Sequence, residues 1–269
     1  MGLTAHKTEL WTTGITVLPN VLSSAEVLEL QSKLEEPFSK QISYLRLKPE
    51  NNQKLQCLFD ADMKRYLAAA KLAQHTPELH AVGSSQIIVD LVSELGLASP
   101  VISTRPVVHI VGNGLAVPEG YQGTPLHQDW RSVQGSLDGL VLWLPLTRHS
   151  RAFWPLEVAR FSHRLGLLET RPHEFGNAVS DEKLGEFPFT QVVANPGDVV
   201  AFSMFLAHRT GKSLGAGVRW AASFRYNNML EPNFISRGFP NPYIYKSQFD
   251  LFDDHFPDVH MLNRFFNNN

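Results

Sequence analysis

Two residues of metal-ligating type stand two positions apart in Thr124-Pro125-Leu126-His127-Gln128-Asp129-Trp130. A proline-introduced, extended segment would place His127 and Asp129 on one face, because strand side chains alternate. An imidazole nitrogen and a carboxylate oxygen on one face can hold a divalent metal. A third ligand from elsewhere would complete the facial triad of non-haem Fe(II) oxygenases, with open positions opposite. The tripeptide alone decides nothing: 11 His and 26 acidic residues among 269 give about one His-x-acid tripeptide by chance, and this chain has one. A surface pair or a capping aspartate fits it equally well.

The place to seek a third ligand is the end of Val199-Val200-Ala201-Phe202-Ser203-Met204-Phe205-Leu206-Ala207-His208. This run follows Asn195-Pro196-Gly197-Asp198, whose Pro and Gly suit the backbone angles of a turn. Read as one strand, it aligns His208 with Val200, Phe202, Met204 and Leu206, so that the histidine closes an inward, apolar face. A satisfied core histidine meets the same pattern. Eleven residues on, Arg219 opens Arg219-Trp220-Ala221-Ala222-Ser223-Phe224-Arg225-Tyr226, a cation among small and apolar residues. It requires an anionic partner, since burying an unpaired charge is costly. The carboxylate of a small molecule, gripped by the planar guanidinium fork, and a structural ion pair both answer that need.

The elements that must position these groups fall into two kinds. Gly14 to Pro19 reads as a short strand stopped by Pro19-Asn20. Ser23 and Glu26 form a capping box for a helix carrying Val27, Leu30 and Leu34 up to Pro37. Further helices are expected from Asp60 to Ala73, and from Ser85 to Leu95 with Gly96 as its stop. Beyond residue 100 the pattern becomes short strands: Val107 to Val111, Leu126 to Asp129, Leu140 to Leu146, Gln191 to Ala194, Val199 to His208 and Arg219 to Tyr226. This order predicts a mainly β fold, an antiparallel barrel or sandwich flanked by helices, in one domain spanning 1–269. Its parts would be a helical buttress at about 20–97, a β core at about 100–228 and an aromatic C-terminal segment at 229–269.

Composition sets the outer bounds. A chain 43% hydrophobic and 19% charged can bury a sizeable core, and a net charge of −2 gives no electrostatic reason to expect nucleic acid or an anionic membrane as partner. Met1 to Lys7 lead into no apolar signal core, and no stretch approaches the ~20 apolar residues that span a bilayer. Cys57 stands alone, which suits a reducing compartment. A soluble, cytoplasmic protein is the expectation.

Taken together, these residues resemble the phytanoyl-CoA dioxygenase family of Fe(II)- and 2-oxoglutarate-dependent oxygenases. The likeness covers most of the chain. Gly14 to Leu18 with Leu22 to Glu26 is similar to the family's opening strand and helix, and His127-Gln128-Asp129 to its His-x-Asp. Leu142-Trp143-Leu144-Pro145-Leu146 is similar to the strand that follows, and Gly197-Asp198-Val199-Val200 through His208 and Arg219 to its distal half. The resemblance implies a double-stranded β-helix, the jelly-roll core shared with cupins. His127, Asp129 and His208 would be the iron ligands. Arg219 would clamp the distal carboxylate of 2-oxoglutarate with help from the Thr210 hydroxyl, and Trp143 and His109 would line the same pocket. An octahedral ion with three protein ligands keeps three positions, enough for a bidentate 2-oxo acid and O2. The implied reaction releases succinate and CO2 and hydroxylates an unactivated C–H bond. Related halogenases lack the carboxylate ligand, so Asp129 favours oxygen-based oxidation.

The resemblance also has a departure. Ala159-Arg160-Phe161-Ser162-His163-Arg164-Leu165-Gly166 stands where the family often has a Pro-Gly-Ser-His-like turn, with Ala159 to Phe161 in place of Pro-Gly. That loop usually borders the substrate. The stretch Arg148 to Arg164 is either a face for an anionic substrate or a solvated charged loop. The tail Met229 to Asn269 holds nine aromatics in 41 residues, too many for a disordered segment. It reads as packing over the barrel or at a homodimer interface, with some of its aromatics at the substrate entrance. Arg148, His163 and Tyr243 are the candidate substrate contacts, and a small polar metabolite, a sugar or glycan precursor or a secondary metabolite, is the expected substrate class. Two other readings fit these residues: a non-catalytic β-helix that binds a small molecule in the same pocket, with His127, Asp129 and His208 structural, and a Zn-dependent cupin-like isomerase or hydrolase that uses the same three ligands. Arg219 argues against the zinc enzyme, which needs no carboxylate clamp.

Overall fold

The apolar spacing of the first hundred residues makes helices, and that of the next hundred makes the strands they cover. The computed structural model describes every residue except 1, 51–52, 117–122, 148–152, 174–175, 186, 214, 216, 242–255 and 269. The chain begins with helix α1 (Leu3–Thr13) and strand β1 (Ile15–Leu18), followed by helices α2 (Ser24–Tyr44), α3 (Lys54–Ala61), α4 (Met63–Ala73), α5 (Pro77–Ser84) and α6 (Gln86–Leu95). Strands β2 (Pro100–Ile102) and β3 (Val107–Gly112), helix α7 (Trp130–Val133), and strands β4 (Leu140–Pro145) and β5 (Leu156–Ala159) come next. A hairpin of β6 (Thr170–His173) and β7 (Gly176–Val179) leads to β8 (Phe189–Gln191), β9 (Val199–Ser203), β10 (His208–Thr210) and β11 (Val218–Asn228). Helices α8 (Pro232–Ser236) and α9 (Val259–Asn267) follow.

The strands form a double-stranded β-helix. Its larger sheet runs β1-β9-β4-β11-β2, with β3 also paired to β11, and its smaller sheet runs β10-β5-β8. All these pairs are antiparallel. Strand alternation divides β11 cleanly. Trp220, Phe224 and Tyr226 face the helices: Phe38 of α2 meets the Trp220 ring edge-on at 5.7 Å, and the Tyr226 hydroxyl donates to the Gly83 carbonyl. Gly83 admits the Phe224 ring where a Cβ would collide with it at 2.4 Å. Arg219, Ser223 and Arg225 occupy the opposite face and look into the β-helix. Among the described residues no helix is long and apolar enough to cross a membrane.

Several boundaries differ from the expectations, each for a physical reason. The Ser23–Glu26 capping box forms, but α2 continues through Pro37 to Tyr44. Val27, Leu30, Leu34, Phe38 and Ile42 are all buried along one face, and this tertiary burial outweighs the local cost of proline. The helix expected from Asp60 is two helices, because Asp62 leaves helical geometry and its carboxylate caps α4 by accepting from Arg65 N. Helix α1 was not anticipated. It buries Leu10 and Trp11, whose indole donates to the Leu95 carbonyl at 2.8 Å. The run Val199 to His208 is not one strand. It turns after Ser203, where Leu206 N bonds the Ser203 carbonyl and Phe205 N the Ser203 hydroxyl, and His208 opens β10 in the smaller sheet. The strand expected at Gln191 to Ala194 lies at Phe189–Gln191.

Candidate metal centre

Leu126 to Asp129 forms no strand. His127 makes a single antiparallel bridge to His208: each backbone N–H donates to the other's carbonyl, at 3.0 and 3.1 Å. That bridge joins two segments 81 positions apart and brings the imidazoles to 4.2 Å between ring centroids. Asp129 has helical backbone angles (φ −66°, ψ −29°) and stands at the N-terminus of α7. The His-x-Asp pair therefore converges through a bridge followed by a turn, not through the shared face of a strand.

Each imidazole is held by its Nδ1. His127 Nδ1 lies 2.8 Å from the Pro125 carbonyl and His208 Nδ1 lies 2.9 Å from that of Leu206. A carbonyl only accepts, so Nδ1 carries the proton and Nε2 keeps its lone pair. Both Nε2 atoms turn to Asp129: His208 Nε2 is 3.4 Å from Oδ2 and His127 Nε2 is 4.0 Å from Oδ1. One ligand atom from each of the three residues lies within 4.8 Å of the others, and no other such group of His, Cys, Asp or Glu occurs among the described residues. Asp129 Oδ2 is buried and accepts no hydrogen bond from any described residue. Two bare imidazole nitrogens converging with a bare carboxylate oxygen fit a divalent cation, and this donor set with one side open suits Fe(II).

Charge in the site follows from burial and from Arg225. Burial pushes His208 down to about 3, with His127 beside it acting in the same direction. Burial lowers His127 as well, against the pull of Asp129. Burial alone would raise Asp129, but Arg225 foremost, then His208 and His127, hold it well below the usual carboxylate range. Near neutral pH the triad is two neutral imidazoles and one carboxylate, the forms that ligate metals.

The triad lines a cleft between the two sheets, together with His109, Trp143, Thr210 and Arg219. Arg219 is 2% exposed, its Nη1 donates to the Trp154 carbonyl, and its Cζ lies 5.6 Å from the centroid of the Trp143 ring. The Thr210 hydroxyl accepts from Thr124 N at 3.0 Å. His109 Nε2 pairs with the Ser223 hydroxyl at 3.0 Å, and burial, reinforced by Arg219 and Arg225, pushes this histidine down to about 3. Phe202 packs edge-on against His208 at 4.8 Å. Arg209 lines the cleft as well. It is ion-paired to Glu157 at 2.9 Å and stacked 3.8 Å above the Phe189 ring.

The cleft therefore gathers all seven residues expected at the metal and cosubstrate site: His127, Asp129, His208, Arg219, Thr210, Trp143 and His109. His163 is a correction. It is fully buried, with Nε2 3.3 Å from the Trp11 carbonyl and its ring 4.7 Å from that of Phe266, so it belongs to the core beneath α1 and α9 and does not line the cleft. Arg148 and Tyr243 lie outside the described residues. Sequence reasoning missed Ser223 and Arg225, although the alternation that begins at Arg219 would have put both on its face. It also missed Gln128, whose amide donates to the Gly166 and Phe205 carbonyls and accepts from Leu168 N, tying the His-x-Asp segment to its surroundings.

The model of the phytanoyl-CoA dioxygenase family matches residues 11–221. Among curated proteins, the 1-deoxypentalenic acid 11-beta-hydroxylase of Streptomyces arenae is 29% identical over 127 residues, 43% of this chain and 44% of that protein. The chain thus aligns with less than half of that relative's length. Among solved structures, the non-heme monooxygenase ThoJ in its apo form superposes with a TM-score of 0.60 at 18% identity, covering 82% of this chain and 76% of that one. The epimerase SnoN in complex with Fe3+, alpha ketoglutarate and nogalamycin RO superposes with a TM-score of 0.59 at 16% identity, covering 84% and 83%. At these identities the superpositions establish the shared fold.

Proposed function

Because this chain belongs to the phytanoyl-CoA dioxygenase family, we propose that it is an Fe(II)- and 2-oxoglutarate-dependent dioxygenase that hydroxylates an unactivated C–H bond of a small polar metabolite. The observation that carries this reading is the bare, buried Asp129 Oδ2 facing His208 Nε2, with Arg219 in the same cleft. Fe(II), when bound, supplies O2 activation coupled to decarboxylation of 2-oxoglutarate to succinate and CO2. The residues of this chain do the rest. His127, Asp129 and His208 hold the metal from one side. Arg219 receives the distal carboxylate of the 2-oxo acid, its charge fixed and its planar fork matched to that group. The Thr210 hydroxyl, anchored by Thr124 N, offers a further polar contact. Trp143, Phe202 and Val141 wall the cleft with apolar surface, which excludes water and strengthens the charged contacts.

The relative named as a hydroxylase of 1-deoxypentalenic acid supports hydroxylation as the reaction; a secondary metabolite or a sugar or glycan precursor is the substrate class that we propose. A soluble, cytoplasmic setting agrees with this reading. Anaerobic addition of Fe(II) and 2-oxoglutarate to the metal-free protein is expected to give a weak visible charge-transfer band that needs both additions and is lost in Asp129→Ala. If no band forms and calorimetry detects no 2-oxoglutarate binding, the reading is wrong.

A further inference from the structure

We propose that Arg225 is a positioning residue for the metal centre, reserving one oxygen of Asp129 for itself so that the other ligates alone. The proposal rests on the functional reading above and concerns a residue that touches neither metal nor cosubstrate in it. Arg225 Nε and Nη2 both bond Asp129 Oδ1, at 2.9 and 2.6 Å. The usual guanidinium–carboxylate fork spreads over two oxygens. Here both arms close on one, and Oδ2 stays bare, 3.4 Å from His208 Nε2.

Asp129 needs this restraint because its own segment gives it little. It stands at the N-terminus of a four-residue helix and makes no side-chain cap bond. Aspartate at that position ordinarily turns back to accept the N–H two or three residues on. Arg225 holds the carboxylate out of that alternative and aims it at the histidines. The hold is stiff, because β11 lies within the larger sheet: Arg225 is in register with Val141 of β4 on one side, and its carbonyl accepts from Ser103 N at 2.8 Å on the other.

The number of carboxylate oxygens on the metal decides whether the cosubstrates fit. A carboxylate that chelates through both oxygens takes two positions of an octahedral ion and, with two histidines, leaves two. A bidentate 2-oxo acid and O2 need three. With Oδ1 occupied by a guanidinium that stays charged at any working pH, Asp129 is confined to one position. The two arginines on this face of β11 thus have separate tasks: Arg219 meets the cosubstrate and Arg225 sets the protein ligand.

Co(II) alone is the probe, because its visible d–d absorption reports coordination number and its affinity can be titrated without turnover. Arg225→Leu is expected to lower Co(II) affinity by about 10- to 100-fold, the usual effect of losing a partner that orients a ligand, and to change the d–d spectrum. Arg225→Lys keeps the charge, guards against a variant that fails to fold, and should fall between the two. In an Asp129→Ala background the Arg225 substitutions should have no further effect, since their action passes through that carboxylate. The proposal is overturned if folded Arg225→Lys and Arg225→Leu proteins bind Co(II) within threefold of wild type with an unchanged spectrum, or if the loss is as large without Asp129. Failure of the functional reading would show in the wild type itself, as 2-oxoglutarate binding no tighter with metal than without, whereas failure of this inference shows only in the variants.

Discussion

Replacing Arg219 with leucine tests the cosubstrate assignment most directly, and the structure bounds the size of the effect. Arg219 is 2% exposed, and its guanidinium lies beside the Trp143 ring in a cleft it shares with the triad. A ligand carboxylate bound there would be removed from water and would depend on Arg219 for compensation. Truncating one partner of a buried, hydrogen-bonded charge pair costs about 2–5 kcal/mol. At about 1.4 kcal/mol per decade, the dissociation constant for 2-oxoglutarate should rise between roughly 30-fold and a few thousand-fold. Arg219→Lys keeps a charge but loses the planar fork, so a loss near tenfold is expected. Stability should fall by only about 1 kcal/mol, for the hydrogen bond to the Trp154 carbonyl, because leucine suits the apolar wall.

The assay is anaerobic calorimetry on Mn(II)-loaded protein, with 2-oxoglutarate compared against 2-oxovalerate, which keeps the chelating end and lacks the distal carboxylate. Deleting the carboxylate from the ligand and the guanidinium from the protein forms a double-mutant cycle. If Arg219 binds that carboxylate, wild type should prefer 2-oxoglutarate strongly and Arg219→Leu should not discriminate. Should the leucine variant keep 2-oxoglutarate affinity within threefold of wild type, or keep the full preference, the clamp lies elsewhere.

Two further outcomes concern the scaffold. Burial pushes the Asp138 carboxyl up to about 6, with Glu231 adding to the shift and hydrogen bonds from Asn228 and Ser136 opposing it. Since an unfolded aspartate titrates near ~4, the native state holds its proton more tightly, and the stability this gives is present below ~4 and lost as pH rises through about 6. Asp138→Asn, which can still accept from Asn228, should therefore gain on wild type across that window, by about 3 kcal/mol over the whole of it. Urea denaturation at pH 4.5 and pH 7.5 checks this, and equal differences at the two pH values would exclude it. Phe38→Ala removes a ring in contact with Tyr66 and Trp220 and should cost about 3–5 kcal/mol, with metal affinity of the folded fraction unchanged because Trp220 and Arg225 lie on opposite faces of β11. A loss below 1 kcal/mol would mean that α2 does not buttress the sheet.

Side-chain chemistry was easier to read in this sequence than backbone path. Arg219 was found because a cation among apolar residues demands an anionic partner, and that demand holds whatever the local geometry; His208 drew notice at the end of an inward-facing run, and its role as a ligand came from the family resemblance. The run Val199 to His208 misled because it is apolar throughout. Met204, Phe205 and Leu206 are buried whether the chain runs straight or turns, so hydrophobicity could not reveal the turn after Ser203. His208 reaches the cleft from the smaller sheet, and the expected alternation with Phe202 is not the cause. Pro37 misled in the other direction: a local rule predicted a stop, and the burial of Phe38 and Ile42 overrode it. His163 took its candidacy from basic neighbours, although nothing local could say that Trp11 and Phe266 would close over it.

The triad itself is assembled from weakly structured pieces: a single β-bridge at His127, the first turn of a four-residue helix at Asp129, and the first residue of a three-residue strand at His208. None of these could by itself hold a ligand to the few tenths of an ångström that a metal centre requires. The exactness comes from the larger sheet. Strand β11 contributes Arg225 to Asp129, β9 packs Phe202 against His208, and backbone carbonyls fix both histidine tautomers. That division explains why the tripeptide His127-Gln128-Asp129 carries so little information alone, since one copy is expected by chance. What distinguishes it is an arginine 96 positions further along, on a strand whose opposite face is committed to the helical core. A His-x-Asp lacking such a partner would have its carboxylate free to cap the following helix, and the same three residues would then make an ordinary turn.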